Sequence, residues 1–241
     1  TVHASIEAMK LALADLQQYN ADIDHMRVAP ADLLRPDYLR QRAALIDPTR
    51  AGAPSYGAPR PGGTVYLAAA DAVGMMVSFI QSNYMGFGSG VVVPGTGISL
   101  QNRGFGFSMD ARSANVVEGG KRPFHTIIPA FLTKDGKPQM SFGVMGGDMQ
   151  PQGHLQTLVR MLDYRQNPQA ACDAPRWRFN SGLSINAELA MPSATVQGLL
   201  ARGHQIEQIA DSYQDFGAGQ FIWRMGAPGT VGYLAASDPR R

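Results

Sequence analysis

The order of segments along this chain predicts an α+β fold. One amphipathic helix, a long proline-rich stretch, a run of short strands, two helices and a closing run of strands follow one another, whereas a βαβ repeat would alternate its helices and strands. At 241 residues and 44% hydrophobic content, the chain has enough apolar surface for a sizeable core. Gly62-Gly63-Thr64 opens directly into the apolar run Val65 to Ala70, which marks a switch from irregular to β-rich sequence.

Taken in order, Val2, Ile6, Met9, Leu13 and Leu16 fall at helical spacing, so 2–18 reads as one amphipathic helix. The chain opens without a start methionine, as a piece of a longer precursor would. From Asn20 to Gly63 come Pro30, Pro36, Pro48, Pro54, Pro59 and Pro61, and this stretch reads as an extended surface connector. Strands are expected at 64–70 and 75–82, joined by Asp71 to Gly74, with glycine where positive φ is needed. Further strands are expected near 97–100, 124–133 and 138–145, the last two separated by the turn Lys134-Asp135-Gly136-Lys137. Leu155, Leu158, Val159 and Leu162 form the apolar stripe of a helix that starts near Gln152. A second helix over 193–202 closes at Gly203, and strands near 205–209, 220–225 and 231–235 complete the chain. No internal repeat or low-complexity segment interrupts this order.

Composition excludes several functions. A formal charge of +2 without a basic block gives no footprint for nucleic acid or an anionic membrane. No apolar run approaches the roughly 18 to 20 residues needed to span a bilayer. The first residues lack the charged and apolar regions of a signal peptide, and any targeting segment would precede Thr1, so a bacterial-type cytoplasm and a periplasm stay open. The lone Cys172 allows no internal disulfide and reads as packing. His3, His25, His125, His154 and His204 are scattered singly, so no metal and no cofactor is expected. Gly86, Gly88, Gly90, Gly95 and Gly97 lack the following Lys-Ser/Thr and helix of a phosphate loop.

Chemistry concentrates at two places. If the bond between Gly63 and Thr64 is cut, Thr64 gains an α-amino group beside its own hydroxyl, so one residue supplies nucleophile and base. An α-amino group titrates near 7.7 to 8.0, which suits it to take the hydroxyl proton at neutral pH. Glycine at 63 tolerates the strained backbone that attack on its carbonyl requires. By itself the tripeptide is also an ordinary turn. Gly146-Gly147 stands between a strand and a helix, where adjacent amides can point two donors at one developing oxyanion or can simply turn the chain. Thr1 is a poor rival to Thr64, because it sits on a helix and not at the head of a buried strand.

Together these segments resemble the γ-glutamyltransferase (γ-glutamyltranspeptidase) family over nearly the whole chain. Glu7-Ala8-Met9-Lys10-Leu11-Ala12 and Tyr38 to Asp47 are similar to the end of its large subunit. Thr64 lies seven residues before Asp71 and ten before Gly74, where the family has its nucleophilic threonine. Phe87-Gly88-Ser89-Gly90, Pro94-Gly95-Thr96-Gly97-Ile98, Lys121-Arg122-Pro123 and Gly143-Val144-Met145-Gly146-Gly147 keep the family's order and spacing. Asn167-Pro168, Ala174-Pro175-Arg176 and Ser237-Asp238-Pro239-Arg240 complete it. The resemblance implies a four-layer αββα sandwich of the N-terminal-nucleophile hydrolase type. It also implies a large-subunit tail over 1–63 and a small subunit over 64–241. The partners it implies are a small amide substrate and the rest of the large subunit, and it allows a dimer of heterodimers. Thr64 becomes nucleophile and general base, Ser82 the hydroxyl supporting the new amino terminus, and Gly146 with Gly147 the oxyanion hole.

Departures from the family's pattern bear on substrate. Where members acting on γ-glutamyl donors hold the α-ammonium with amide and acidic side chains, this chain has Tyr84, Arg103 and Gly106. The paired serines for the α-carboxylate appear as His125 and Thr126. A glutamyl ammonium would meet the like charge of Arg103, so the pattern favours an acyl group with a terminal carboxylate and no α-ammonium. Such a group, clamped by Arg103, is of glutaryl type. For Arg103 a solvated or ion-paired structural arginine is the bland alternative, for His125 a structural strand histidine, for Tyr84 a core cap, and for Asp148 a plain helix N-terminal aspartate. Three readings follow: an autoprocessed γ-glutamyltransferase-like hydrolase or acyl transferase, a glutaryl or cephalosporin-type acylase, and an unprocessed homologue that binds a small acidic ligand.

Overall fold

The computed structural model describes residues 1–53, 64–210, 215–226 and 232–240. In chain order the elements are α1 (Val2–Tyr19), α2 (Pro30–Leu33), α3 (Pro36–Ala43), β1 (Thr64–Ala70), β2 (Met76–Ser82), β3 (Ala130–Lys134) and β4 (Lys137–Val144). They continue with α4 (Met149–Leu158), a π-turn (Val159–Asp163), α5 (Pro168–Asp173), β5 (Trp177–Ser181), β6 (Ser184–Glu188), α6 (Ser193–Leu200), β7 (Gln205–Ile209), β8 (Gly219–Met225) and β9 (Gly232–Ser237). The chain divides into two compact units, one of Thr1–Ala58, Asn102–His125 and Phe179–Gln208, the other of Pro59–Gln101, Thr126–Arg178 and Ile209–Arg241. Mixed helices and separate sheets, with β1-β2 and β3-β4-β8-β9 antiparallel, make the class α+β, as the segment order predicts. No described helix is long and apolar enough to cross a membrane.

The second unit stacks three layers. Its middle layer is an antiparallel sheet in the order β3-β4-β8-β9. Alternation along β4 sends Met140, Phe142 and Val144 to one face, where they pack with Phe221 and Ala236 against Met161, Ala171 and Cys172 from the helical layer. On the other face lies the β1-β2 hairpin, whose Tyr66, Ala68 and Ile80 pack against Met145 and Ala218. Tyr66 fits because Gly143 opposes it: a Cβ there would stand 2.5 Å from the ring. The tyrosine hydroxyl meets Ser78 Oγ at 2.7 Å, and burial pushes its pKa up to about 12. The hairpin's other face, with Val65, Leu67, Val77 and Phe79, is exposed.

In the first unit, Lys10 and Glu7 on α1 form a buried ion pair at 2.8 Å, and both bond Gly52, Lys10 to its oxygen and Glu7 to its N–H. Asp22 takes the N–H and guanidinium of Arg122 and is held well below the usual carboxylate range by those bonds.

Several expectations are corrected. The 20–47 stretch carries α2 and α3, and Pro30 and Pro36 occupy their first turns, where proline's fixed φ favours a helix and its missing N–H leaves nothing unpaired. The 97–100 strand reduces to one bridge, Val92 with Ser99, beside a turn that Gly95 and Gly97 make at positive φ. The strand expected from 124 begins only at Ala130: Pro129 cannot join a ladder, and Ile128 N–H donates to the Gln150 side chain. Helix α4 starts at Met149 rather than near Gln152, and the 193–202 helix ends at Leu200 before Gly203 at φ 90°.

Candidate functional site

Thr64 is the first residue of β1, and the hairpin register sets Ser82 directly opposite it. Both side chains point inward, since the alternation that buries Thr64 and Tyr66 exposes Val65 and Leu67. Thr64 Oγ1 donates to Ser82 Oγ at 3.2 Å, and Tyr84 N–H donates to the same oxygen at 2.9 Å. Tyr84 stands at φ 75°, in the left-handed region that side-chain-bearing residues rarely occupy. Thr64 itself is buried, with 7% of its surface exposed. Gly62 and Gly63 fall outside the described residues, and with them the geometry of the expected cleavage point.

Beyond β4 the chain turns through Gly146 and Gly147 at φ 123° and 60°. Their carbonyls accept the N–H groups of Met149 and Gln150, which starts α4, while neither glycine's own N–H meets an acceptor among the described residues. Two neighbouring donors are thus left for an incoming oxygen. The turn is held from behind by Met145 N–H on Ala218 O at 2.9 Å and by Gly217, whose φ of 65° and contact with Met145 exclude a side chain. Asp148 follows the glycines, half-buried and without a capping bond. Burial pushes its carboxyl above the usual range, against the pull of Arg178. It thus stands at the N-terminus of the helix, as the bland alternative has it, but makes no capping bond.

Of the residues expected at the site, Thr64, Ser82, Tyr84, Thr126, Gly146 and Gly147 belong to the second unit, and Arg103 and His125 to the first. Arg103 begins a 3₁₀ turn and is only 5% exposed, so it is not a solvated surface arginine. His125 lies in irregular chain, not a strand. Partial burial, followed by the nearby Arg103 charge, lowers its pKa, which favours the neutral imidazole. Asn115, which sequence reasoning missed, joins their segments: Nδ2 donates to Gly106 O at 2.7 Å and Oδ1 accepts from Phe124 N–H at 2.9 Å. A Cβ at Gly106 would come within 3.1 Å of Phe124 O, so a side chain there is accommodated only if the neighbouring backbone gives.

The fold also gathers His3, Glu7 and His204, three buried groups with metal-ligating atoms that no sequence spacing reveals. His3 Nε2 donates to Asp47 O, so its Nδ1 accepts from His204 Nε2 at 2.8 Å. The Lys10 ammonium, at 2.8 Å from Glu7 Oε1, already fills the place of a cation. Cys172 is buried against the helices, and burial pushes its thiol up to about 12, which suits packing.

The family model described as Gamma-glutamyltranspeptidase matches residues 1–241. Among curated relatives, the Glutathione hydrolase-like YwrD proenzyme of Bacillus subtilis is 38% identical over 216 residues, covering 87% of this chain and 40% of that protein. The Oxamate amidohydrolase proenzyme of Klebsiella pneumoniae subsp. pneumoniae is 38% identical over 251 residues, covering 100% of this chain and 46% of that one. Among solved structures, cephalosporin acylase from Bacillus halodurans superposes with a TM-score of 0.92 at 49% identity, over 100% of this chain and 43% of its own. The chain thus spans less than half the length of these relatives.

Proposed function

The chain belongs to the gamma-glutamyltranspeptidase family and has its α+β fold, and on that premise we propose that it is part of an autoprocessed amide hydrolase or acyl transferase with Thr64 as its nucleophile. In this reading 1–63 is the end of the large subunit and 64–241 the small subunit. The observation that carries it is the buried Thr64 hydroxyl at the head of β1, bonded to Ser82. Supporting it are the two glycine N–H groups that stand without acceptors among the described residues.

Processing begins as Thr64 Oγ attacks the Gly63 carbonyl. The peptide nitrogen leaves as an amine, an ester joins Gly63 to Oγ, and water hydrolyses that ester. Thr64 then bears a free α-amino group, with Ser82 Oγ beside it as a hydrogen-bonding partner. In turnover, Oγ attacks the substrate amide while the α-amino group takes its proton and passes it to the leaving amine. Gly146 and Gly147 N–H groups receive the oxyanion, and water or an acceptor amine removes the acyl group.

For the acyl group we favour an anionic chain without an α-ammonium. Where the family holds the α-ammonium this sequence has Arg103, buried next to a His125 that favours its neutral form, and its like charge would repel an ammonium. The names of two relatives, an oxamate amidohydrolase and a cephalosporin acylase, accord with amide substrates outside the γ-glutamyl class. Intact mass of the full-length protein tests the core of the proposal: wild type should split between Gly63 and Thr64, and Thr64→Ala should stay whole. Processed enzyme should then prefer glutaryl-p-nitroanilide to γ-glutamyl-p-nitroanilide. A wild type that stays whole and silent would leave the ligand-binding homologue as the better reading.

A further inference from the structure

Gln150 sits in the first turn of α4, three residues past Gly147, with 1% of its surface exposed. Its backbone N–H donates to Gly147 O at 3.0 Å. Across from it, Oε1 accepts the N–H of Ile128 at 2.9 Å. That second bond settles which way the carboxamide lies, because only its oxygen can accept from a backbone N–H. Nε2 therefore faces away from Ile128, buried and with no acceptor among the described residues.

An amide donor left buried and unpaired costs about 1–3 kcal/mol, so its retention calls for a partner that comes and goes. A clamp on Ile128 needs an acceptor only, and gives no reason for the donor half of the carboxamide. The two bonds of Gln150 lead to the turn proposed to receive the oxyanion and to the segment of Thr126, which the family resemblance sets at the acyl group's carboxylate. One reaches Gly147 of the oxyanion turn, and the other reaches Ile128, two residues beyond Thr126.

We propose that Gln150 determines specificity at that same acyl site, its Nε2 donating to the anionic end of the acyl group alongside the Thr126 hydroxyl. The inference rests on Thr64 being the nucleophile of an acyl-transfer site. A carboxamide is suited to the role, since it adds a directed donor without a second buried charge.

The test compares kcat/KM for glutaryl-p-nitroanilide with that for valeryl-p-nitroanilide, which lacks the carboxylate. Taking the ratio cancels the titration of the Thr64 amino group, and activity is normalised to processed full-length enzyme measured by mass. Gln150→Glu keeps an acceptor for Ile128 but replaces the donor with a group that donates only when protonated. Its glutaryl preference should be at least tenfold below wild type at about pH 8 and should recover toward wild type at about pH 5, as its carboxyl regains a proton. Gln150→Leu should lose the preference at both pH values. A preference within twofold of wild type in Gln150→Glu at every pH overturns the inference while leaving Thr64 untouched. A wild type inactive on both anilides overturns the acyl-transfer reading and this inference together.

Discussion

The Asp238 carboxylate and the Arg176 guanidinium meet at 2.6 Å with both side chains almost wholly removed from water. The same carboxylate takes the N–H of Gly219 and the guanidinium of Arg240, while Arg176 Nη1 donates to the carbonyls of Phe216 and Gly217. Those two carbonyls belong to the segment that backs Met145 and Gly146. The last residues of the described chain thereby support the Gly146-Gly147 turn from behind.

Neutralising one partner leaves the other charge buried and uncompensated. Asp238→Asn is expected to lose about 3–5 kcal/mol, read from the urea midpoint near neutral pH. A loss below about 1 kcal/mol would show that water or another group has replaced the carboxylate.

Ser82 Oγ accepts from both Thr64 Oγ1 and Tyr84 N–H. Ser82→Ala removes the bond to Thr64, the proposed nucleophile, and the bond to Tyr84, so kcat should fall about tenfold to a hundredfold, the rate equivalent of one to two hydrogen bonds. Pre-steady-state acylation is the measurement, and an unchanged rate would detach Ser82 from the chemistry.

At Gly146 a side chain is excluded twice, by a φ of 123° and by the approach of Gly217 Cα to within 3.1 Å of the Cβ position. Gly146→Ala should turn its N–H out of line and lower kcat about 10²- to 10³-fold, the loss typical of a missing oxyanion donor. Gly182→Ala, with open space around its Cβ and a φ of 52°, serves as a control for adding a side chain at positive φ.

Asn115 ties Gly106 to Phe124, next in sequence to His125 of the proposed acyl-binding set. Loss of its two bonds in Asn115→Ala should raise KM for a glutaryl substrate about tenfold and leave kcat within about threefold. The opposite split, kcat falling at constant KM, would move Asn115 out of the acyl-binding role.

Acid should weaken the fold through His154. Its Nε2 accepts the N–H of Val144 at 2.9 Å, so the folded state needs it unprotonated, and burial, with help from the Arg176 charge, pushes its pKa down to about 4. An unfolded histidine titrates near 6.5, so between those values the unfolded chain binds the extra proton. The stability is complete above about pH 6.5 and lost progressively down to about pH 4, by at most about 3 kcal/mol. Urea midpoints across that range should fall for wild type and fall less steeply for His154→Gln.

Where neighbours in sequence settle the geometry, the fold was legible. The β1-β2 hairpin, the Asp135-Gly136 turn at φ 53° and 71°, and α1 follow from alternation, turn residues and helical spacing. Elements fixed by distant partners were not. β5 and β6 carry Arg178, Asn180, Ser184 and Asn186, whose polarity hides the alternation, and Gly182 at φ 52° is the one local signal of their turn. α5 had a readable start, since Asn167 caps Ala170 N–H ahead of Pro168. At the site, Thr64 and the glycine pair stood out by their setting, but Asn115 and Gln150 work through bonds to segments 9 and 22 residues away in sequence. Single polar residues of that kind carry no motif.

Because Ser82 faces Thr64 only through the register of their hairpin, the five residues from Asp71 to Met75 act as a ruler for these two hydroxyls. One residue added to that turn would carry β2 forward by a step and present Gln81 to Thr64, with every side chain of the strand reversed between core and solvent. Two added residues would restore the facing but offset it by a full repeat. Chain length at the far end of the hairpin therefore decides which side chain stands opposite Thr64.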